Sequence, residues 1–152
     1  MNKRILLICS SGGHMVQLKR LLPATADKGS LYLAAVGAHN LGAEAQFEGI
    51  FDIPDFNRQS VFRAFRGSFA VTRAVMKVRP THVISTGAAP GIIGIAVARL
   101  MGARTLWVDS IANTRRLSMS GRFALLFSTH VFTQWPDLAA ADGRPSYKGR
   151  LI

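Results

Sequence analysis

A histidine at the start of a predicted helix is the residue best suited to move a proton. His14 is preceded by Ser11, Gly12 and Gly13. Two glycines let the backbone turn sharply and approach a ligand closely, and N–H groups at a helix start favour an anion. An imidazole accepts a proton from a hydroxyl near neutral pH. The stretch is therefore either an anion site with an acid/base group, or a strand-to-helix corner with an incidental histidine.

The glycines do not form a known nucleotide-binding fingerprint. The letters SSGGHM lack the G-x-G-x-x-G spacing of a dinucleotide turn and the G-x-x-x-x-G-K-[ST] spacing of a phosphate loop. A stand-alone nucleotide-binding Rossmann protein is therefore disfavoured.

A second candidate loop begins at Thr86 and Gly87, before the apolar run IIGIAVARLM. Pro90 in the first turn of the predicted helix, with small residues before it, indicates a loop with exposed backbone N–H groups. The other interpretation is close packing between a helix and a central strand, and the two are compatible.

A carboxylate follows the apolar run RTLWV. Asp109 precedes Ser110, Arg115 and Arg116. At such a position a carboxylate either orients His14 or binds a sugar hydroxyl, or it caps the next turn. The arginines either neutralise a phosphate or are solvated.

Apolar runs alternate with helical patterns along the whole chain. The runs predict strands at 4–9, 31–36, 50–53, 82–86, 104–109, 129–133 and 146–149, and helices at 14–22, 60–78, 90–101 and 119–127 with a short one after Pro136. Residues 38–59 are otherwise expected to be a loop. Strands joined by crossover helices predict an α/β, Rossmann-like three-layer parallel sheet, whose ligands bind at the carboxyl ends of the strands. Loops 10–14, 86–91, 109–120 and 134–137 are expected at that edge.

The predicted helix 60–78 combines two unusual stripes. Phe62, Phe65 and Phe69 share one helical face, and Arg66 and Arg73 lie on the adjacent face. Bulky aromatic residues beside cations are typical of a helix lying in a membrane interface. The alternative is that the aromatic side chains belong to the core.

Composition limits the class of protein. The 152 residues suit one domain, and 19 Lys and Arg against 8 acidic residues give a net charge of +11, which favours a polyanionic partner. No apolar run is long enough to span a bilayer, so we expect a cytoplasmic protein. The lone Cys9 is expected to be a buried hydrophobe. No metal-ligand, cofactor or RNA-binding motif is present, so we expect no metal, no cofactor and no nucleic acid.

Five segments together resemble a known family. They are SSGGHMVQL, VISTGAAPGIIGIAVARLMGARTLWVDS, LSMSGRFALLF, VFTQWPDL and YKGRL. In this order they resemble the Alg14-like family of asparagine-linked glycosylation, which includes bacterial exopolysaccharide proteins of the PssD type. They also resemble the amino-terminal domain of the peptidoglycan transferase MurG.

The resemblance implies a split GT-B glycosyltransferase. Residues 1–152 would form its single amino-terminal, acceptor-side half, and a separate small subunit would bind the nucleotide sugar. The implied reaction is inverting, N-acetylglucosaminyltransferase-like transfer from a UDP-sugar to a polyprenyl diphosphate-linked sugar. It would serve exopolysaccharide or lipid-linked oligosaccharide biosynthesis at the anionic inner face of the cell membrane.

The resemblance also implies roles for individual residues. His14, aided by Asp109, would deprotonate the acceptor hydroxyl. The acceptor phosphates would be held by loop groups: Ser11, Gly12, Gly13, Thr86, Gly87, Ser110, Arg115 and Arg116. The partner would stabilise the leaving diphosphate. The alternative is a non-catalytic membrane anchor that recruits and activates a catalytic partner.

Overall fold

The computed structural model describes residues 2–38, 47–54 and 61–151. Its strands are β1 (Arg4–Cys9), β2 (Ser30–Ala35), β3 (Gly49–Asp52), β4 (His82–Ser85), β5 (Arg104–Val108), β6 (His130–Thr133) and β7 (Ser146–Tyr147). Its α-helices are α1 (Gly13–Thr25), α2 (Val61–Val78), α3 (Ala88–Leu100) and α4 (Met119–Phe127). Short 3-10 helices occupy Ala26–Lys28 and Pro136–Leu138.

The described strands form one seven-stranded sheet in the order β3-β2-β1-β4-β5-β6-β7. Every neighbouring pair is parallel. The strand order reverses direction between β1 and β4, and in an open α/β sheet a crevice forms at that point, outside the carboxyl ends of the strands. The predicted Rossmann-like fold is therefore confirmed.

Helices cover the two faces of the sheet unequally. On one face α1 packs Met15, Leu18 and Leu22 against side chains of β1 and β2. On the other face α2, α3 and α4 pack side by side, with α3 in the middle, over a core that includes the fully buried Trp107. The prediction of helices on both faces is confirmed.

The predicted elements agree with the observed ones to within three residues at their ends. The largest difference is at α1, which was expected to end at residue 22 but continues through Pro23 to Thr25. The Thr25 hydroxyl donates a hydrogen bond to the Leu22 carbonyl at 3.0 Å, and the Ala26 N–H donates to the same carbonyl. These bonds, with the 3-10 helix that follows, extend the last turn beyond the proline. Residues 39–46 and 55–59 of the predicted loop 38–59, and residue 60 of the predicted helix 60–78, lie outside the described chain.

The aromatic stripe of α2 faces solvent. The exposed fractions of Phe62, Phe65 and Phe69 are 70%, 70% and 62%, whereas Val71 and Val75 are fully buried. The alternative that placed these aromatic side chains in the core is therefore wrong. No helix in the described part of the chain is both long and apolar enough to cross a membrane.

A glycine in the second turn of α3 permits the close contact between α3 and the central strands. A Cβ built at Gly91 would overlap the Ser85 hydroxyl and lie 3.1 Å from the Trp107 ring. We therefore expect Gly91→Ala to lower the free energy of unfolding by about 1–3 kcal/mol, because both neighbours are buried and cannot move away. Urea denaturation would measure the change.

Gly13→Ala is the matched control, since a Cβ at Gly13 meets no atom within 4 Å. If Gly91→Ala is as stable as Gly13→Ala, the packing between α3, β4 and β5 is looser than described.

Candidate functional site

A cleft of about 550 Å³ lies at the carboxyl edge of the sheet. Its lining comes from the loops after β1, β2, β4 and β5 and from the first turns of the helices on both faces. Ser11, His14 and Ser110 are among the lining residues, as expected from the sequence. The cleft also borders α2 at Ala64. The cleft therefore lies in the position where parallel α/β sheets generally bind their ligands.

Two larger depressions, of about 920 and 760 Å³, lie near the opposite edge of the sheet. Neither contains the start of an α-helix, and the second is bordered by Phe47, next to the undescribed residues 39–46. Volume alone does not identify a site. The cleft at the carboxyl edge is the better candidate because backbone donors and an imidazole converge there.

His14 is held in one tautomer by the loop that follows β4. Its Nδ1 lies 2.9 Å from the carbonyl oxygen of Thr86. A carbonyl only accepts hydrogen bonds, so Nδ1 carries the hydrogen and donates it. In the neutral ring the lone pair is then on Nε2, the atom that can take a proton from a ligand.

Thr86 supports His14 and does not face the cleft. Its side chain is fully buried, and its hydroxyl donates to the His14 carbonyl at 2.6 Å. The two residues therefore exchange two hydrogen bonds between α1 and the β4 loop. The Thr86 side chain therefore holds His14, and a contact between Thr86 and an acceptor phosphate stays a prediction.

Gly87 makes room for the imidazole. Its φ is +141°, and a Cβ there would overlap Nδ1 and Cε1 of His14. Only glycine both adopts this backbone conformation readily and leaves the ring space to lie against the loop. Gly87 therefore acts on His14 in addition to shaping the start of α3.

Backbone N–H groups gather at the cleft. Gly12, with φ of +72°, caps α1 without a side-chain hydrogen bond, and Gly87 does the same for α3. Helix geometry leaves the N–H groups of Gly13 and His14, and those of Ala88 and Ala89, without intrahelical partners. No acidic side chain is among the described residues that line the cleft. The combination favours an anion such as a phosphate or a carboxylate.

Asp109 lies behind the cleft wall and is 1% exposed. Its carboxylate accepts hydrogen bonds from Nε1 of Trp107 at 3.0 Å, from Nδ2 of Asn113 at 3.2 Å, and from both the backbone N–H and the hydroxyl of Ser118. None of these bonds goes to His14. The geometry therefore favours the interpretation in which Asp109 caps the turn that follows it and does not contact His14.

The same carboxylate sets the start of α4. The Ser118 hydroxyl, which donates to Asp109, accepts from the backbone N–H of Gly121 at 2.8 Å. A Cβ at Gly121 would lie 2.5 Å from Oδ1 of Asp109. The stretch Ser118-Met119-Ser120-Gly121 is therefore a capping motif fitted to a buried carboxylate.

The remaining predicted residues of this loop separate into two groups. Ser110 lines the cleft, and its hydroxyl lies 3.4 Å from Nε2 of Gln17 and 3.3 Å from the backbone N–H of Ala112. Arg115 and Arg116 are exposed on the loop and are not among the residues that line the cleft. The phosphate contacts expected of these arginines from the sequence therefore stay a prediction.

Two buried glutamines, Gln17 and Gln134, form a pair that the sequence did not predict. Oε1 of Gln17 accepts from Nε2 of Gln134 and from the N–H of Ile111. Gln134 also donates to the Asp109 carbonyl at 2.9 Å and accepts from the N–H of Leu151 at 2.8 Å. Gln134 lies in a loop that was expected at the site, but its partner is 117 residues away. No local pattern in the sequence relates the two.

The last residues of the described chain pack on the same loop. Nε1 of Trp135 donates to the carbonyl of Ile111 at 2.7 Å, and the guanidinium of Arg150 lies 4.2 Å from the centre of the Trp135 ring. This distance is within the range of a cation–π contact. The loop after β5 is thus held by α1 and by the loop after β6, and residues 150 and 151 contact the loop after β6.

The thiol of Cys9, although next to Ser10 in the chain, is buried away from the cleft. Burial raises the pKa of the Cys9 thiol to about 12, so the thiolate is scarce at neutral pH. Cys9 is a buried hydrophobe, as predicted. Within the described ranges no cluster of three or more His, Cys, Asp or Glu side chains is placed to hold a metal ion.

The hydrogen bonds of Asp109 predict a large effect for an isosteric change. In Asp109→Asn one carboxylate oxygen becomes an NH₂ group, which cannot accept the bonds that Ser118 and its neighbours donate. We expect the free energy of unfolding to fall by about 1–3 kcal/mol, as measured by urea denaturation.

The exposed Asp137 provides the matched control, because Asp137→Asn should change the unfolding free energy by less than about 0.5 kcal/mol. Equal stability of the two variants would contradict the role given to Asp109.

Comparison with known proteins identifies the family. The family model described as "Oligosaccharide biosynthesis protein Alg14 like" matches residues 52–151. The UDP-N-acetylglucosamine transferase subunit ALG14 of Mus musculus is 23% identical, over 98% of this chain and 83% of the relative. The protein of the same name from Yarrowia lipolytica is 26% identical, over 99% of this chain and 82% of the relative.

Solved structures agree on the fold. MurG of Acinetobacter baumannii superposes with a TM-score of 0.71 at 15% identity, over 97% of this chain and 45% of that one. UDP-N-acetylglucosamine 2-epimerase of Rickettsia bellii superposes with a TM-score of 0.72 at 11% identity, over 99% of this chain and 46% of that one. The chain thus spans about half the length of these solved proteins, with which it shares a Rossmann-like GT-B fold. Because the family model matches more than half of its residues, the chain belongs to the Alg14-like family of oligosaccharide biosynthesis proteins.

Proposed function

We propose that this chain is the acceptor-side subunit of a two-chain inverting glycosyltransferase. The reaction is transfer of a sugar, of the N-acetylglucosamine class, from its UDP conjugate to a polyprenyl diphosphate-linked sugar. The observation that carries the proposal is the cleft that His14 lines together with the first residues of α3, with Nδ1 of His14 bonded to the Thr86 carbonyl and no acidic side chain among the described lining residues. Relatives named as subunits of a UDP-N-acetylglucosamine transferase support it.

The cleft suits an acceptor that carries a diphosphate. Backbone N–H groups of Gly13, His14, Ala88 and Ala89 donate to the phosphate oxygens. They are preorganised, because α1 and the β4 loop are joined by the hydrogen bonds between His14 and Thr86. Arg115 and Arg116, exposed on the loop after β5, attract the anion from a distance.

The chemical step uses His14 as a general base. The acceptor hydroxyl oxygen attacks the anomeric carbon of the donor as its proton passes to Nε2, and the bond between that carbon and the UDP oxygen breaks. The charge that develops on UDP falls outside this chain, on the partner subunit. Asp109 is a positioning residue in this scheme, since its carboxylate shapes the loop that carries Ser110 and Ser118.

A separate nucleotide-sugar-binding subunit completes the enzyme. The curated relatives are named as subunits of a UDP-N-acetylglucosamine transferase, and the described residues form one Rossmann-like unit that matches about half of the solved MurG and epimerase chains. The cleft opens at the carboxyl edge of that unit, where a second unit would close over it.

Helix α2 brings the subunit to the cytoplasmic face of an anionic membrane. Phe62, Phe65 and Phe69 are exposed and enter the acyl boundary, while Arg66 and Arg73 reach lipid phosphates. Arg66 lies 5.9 Å from the centre of the Phe62 ring. The acceptor, which is itself a membrane lipid, is then available at the cleft.

His14→Ala in the reconstituted pair tests the catalytic role. We expect turnover to fall about 10²–10⁴-fold, the usual contribution of a general base, while gel filtration shows the complex intact. His130→Ala, which changes an exposed histidine at the opposite edge of the sheet, is the control and should retain full activity.

Full activity of His14→Ala would instead favour the non-catalytic membrane anchor. Transfer by the purified chain alone would contradict the two-chain enzyme.

Reversal of charge on α2 tests the membrane contact. We expect the double change Arg66→Glu and Arg73→Glu to weaken flotation with phosphatidylglycerol vesicles by about 1 kcal/mol per removed cation or more. Binding equal to that of the unmodified protein would remove α2 from the proposed membrane surface.

A further inference from the structure

The exposed apolar surface extends beyond α2 to α4. In α4 the exposed fractions of Met119, Phe123 and Leu126 are 52%, 52% and 75%, whereas Gly121 and Ala124 are buried against the core. A surface helix normally presents polar residues to solvent. A continuous patch of large apolar side chains indicates an interaction surface instead.

Helix α3 joins α2 and α4 into one face. It packs between them, so the axes of α2 and α4 are separated by two helix spacings, about 16–20 Å. The half-buried residues of α3 at this face carry no charge: Ala89, Ile92, Ile93, Ala96 and Val97. Leu100, at its end, is 86% exposed. The result is two ridges of aromatic and aliphatic side chains with an uncharged floor between them.

Among the described residues of this face, the exposed charges have one sign. Residues 61–127 contain ten Lys and Arg and a single acidic residue, Asp109. Because Asp109 is buried and fully hydrogen-bonded, it does not contribute a surface acid. The exposed cations include Arg66 and Arg73 on α2, Arg99 on α3 and Arg122 on α4. Apolar ridges fringed only by cations complement an anionic lipid surface.

We propose that α4 is a second membrane-contacting helix, and that α2, α3 and α4 sit together on an anionic bilayer. This proposal rests on the membrane association included in the proposed function, but it does not depend on the transfer reaction. The first residues of the three helices reach the cleft, through Ala64, Pro90 and Met119. The bilayer therefore begins at the rim of the cleft, and a lipid-linked diphosphate enters without leaving the headgroup region.

Vesicle binding by the full chain tests this directly. The α4 variant is Phe123→Ser with Leu126→Ser, both at exposed positions where a polar residue should not disturb folding. Its control is Val16→Ser with Ile50→Ser, which changes apolar side chains of 48% and 51% exposure outside the three-helix face. On sedimentation with phosphatidylcholine vesicles containing phosphatidylglycerol, we expect the α4 variant to bind about tenfold more weakly and the control to bind as the unmodified protein does.

A second measurement does not depend on a loss of binding. Phe123→Trp should show fluorescence quenching by lipids brominated on the acyl chain, beyond that of the native tryptophans, and Val16→Trp should not. Equal vesicle binding by the α4 variant and the control, or no added quenching at position 123, would overturn the proposal. Weaker binding to the partner subunit with unchanged vesicle binding would assign the face to a protein contact and overturn it as well.

These measurements need neither donor nor acceptor. Loss of transfer in His14→Ala with normal vesicle binding concerns the reaction alone. Normal transfer from a soluble acceptor by the α4 variant, with weak vesicle binding, concerns the membrane surface alone. The two proposals therefore fail separately.

Discussion

A buried carboxylate at the end of β5 is the constraint on which the cleft depends. A carboxyl group removed from water must be surrounded by hydrogen-bond partners, and the Asp109 side chain accepts bonds from Trp107, Asn113 and Ser118. Satisfying it curls residues 110–118 back over the strand end and places the Ser118 cap at the start of α4. One buried side chain thereby shapes both a wall of the cleft and the first turn of α4.

Two further groups of hydrogen bonds join this wall to the rest of the fold. His14 and Thr86 exchange bonds between α1 and the β4 loop, and Gln17 with Gln134 joins α1 to the loops after β5 and β6. Buried polar networks of this kind rigidify a site when every member is satisfied. The imidazole of His14 is consequently presented with a defined tautomer on elements that cannot shift independently.

Charge and hydropathy are divided between the two sides of the cleft rim. Inside, backbone dipoles supply the positive potential and acidic side chains are absent from the described lining residues. Outside, the α2, α3 and α4 face combines exposed aromatic residues with arginines. Both environments favour the same kind of molecule, an anionic headgroup attached to an apolar chain. The three-helix face adjoins the cleft because all three helices begin at the carboxyl edge of a parallel sheet.

The sequence by itself determined the helices and strands and the parallel α/β fold class. It also determined that the candidate site lies at the carboxyl edge of the sheet. Hydrophobic periodicity is a local signal, so β1 and the buried valine face of α2 could be predicted from neighbouring residues alone. Only the tertiary structure decided that Asp109 points into its own loop, that Thr86 supports His14, and that Arg115 and Arg116 lie outside the cleft lining. The His14 and Thr86 contact joins residues 72 positions apart. Contacts at such separations depend on where the chain returns and on the direction of each side chain, and neither is encoded in local spacing.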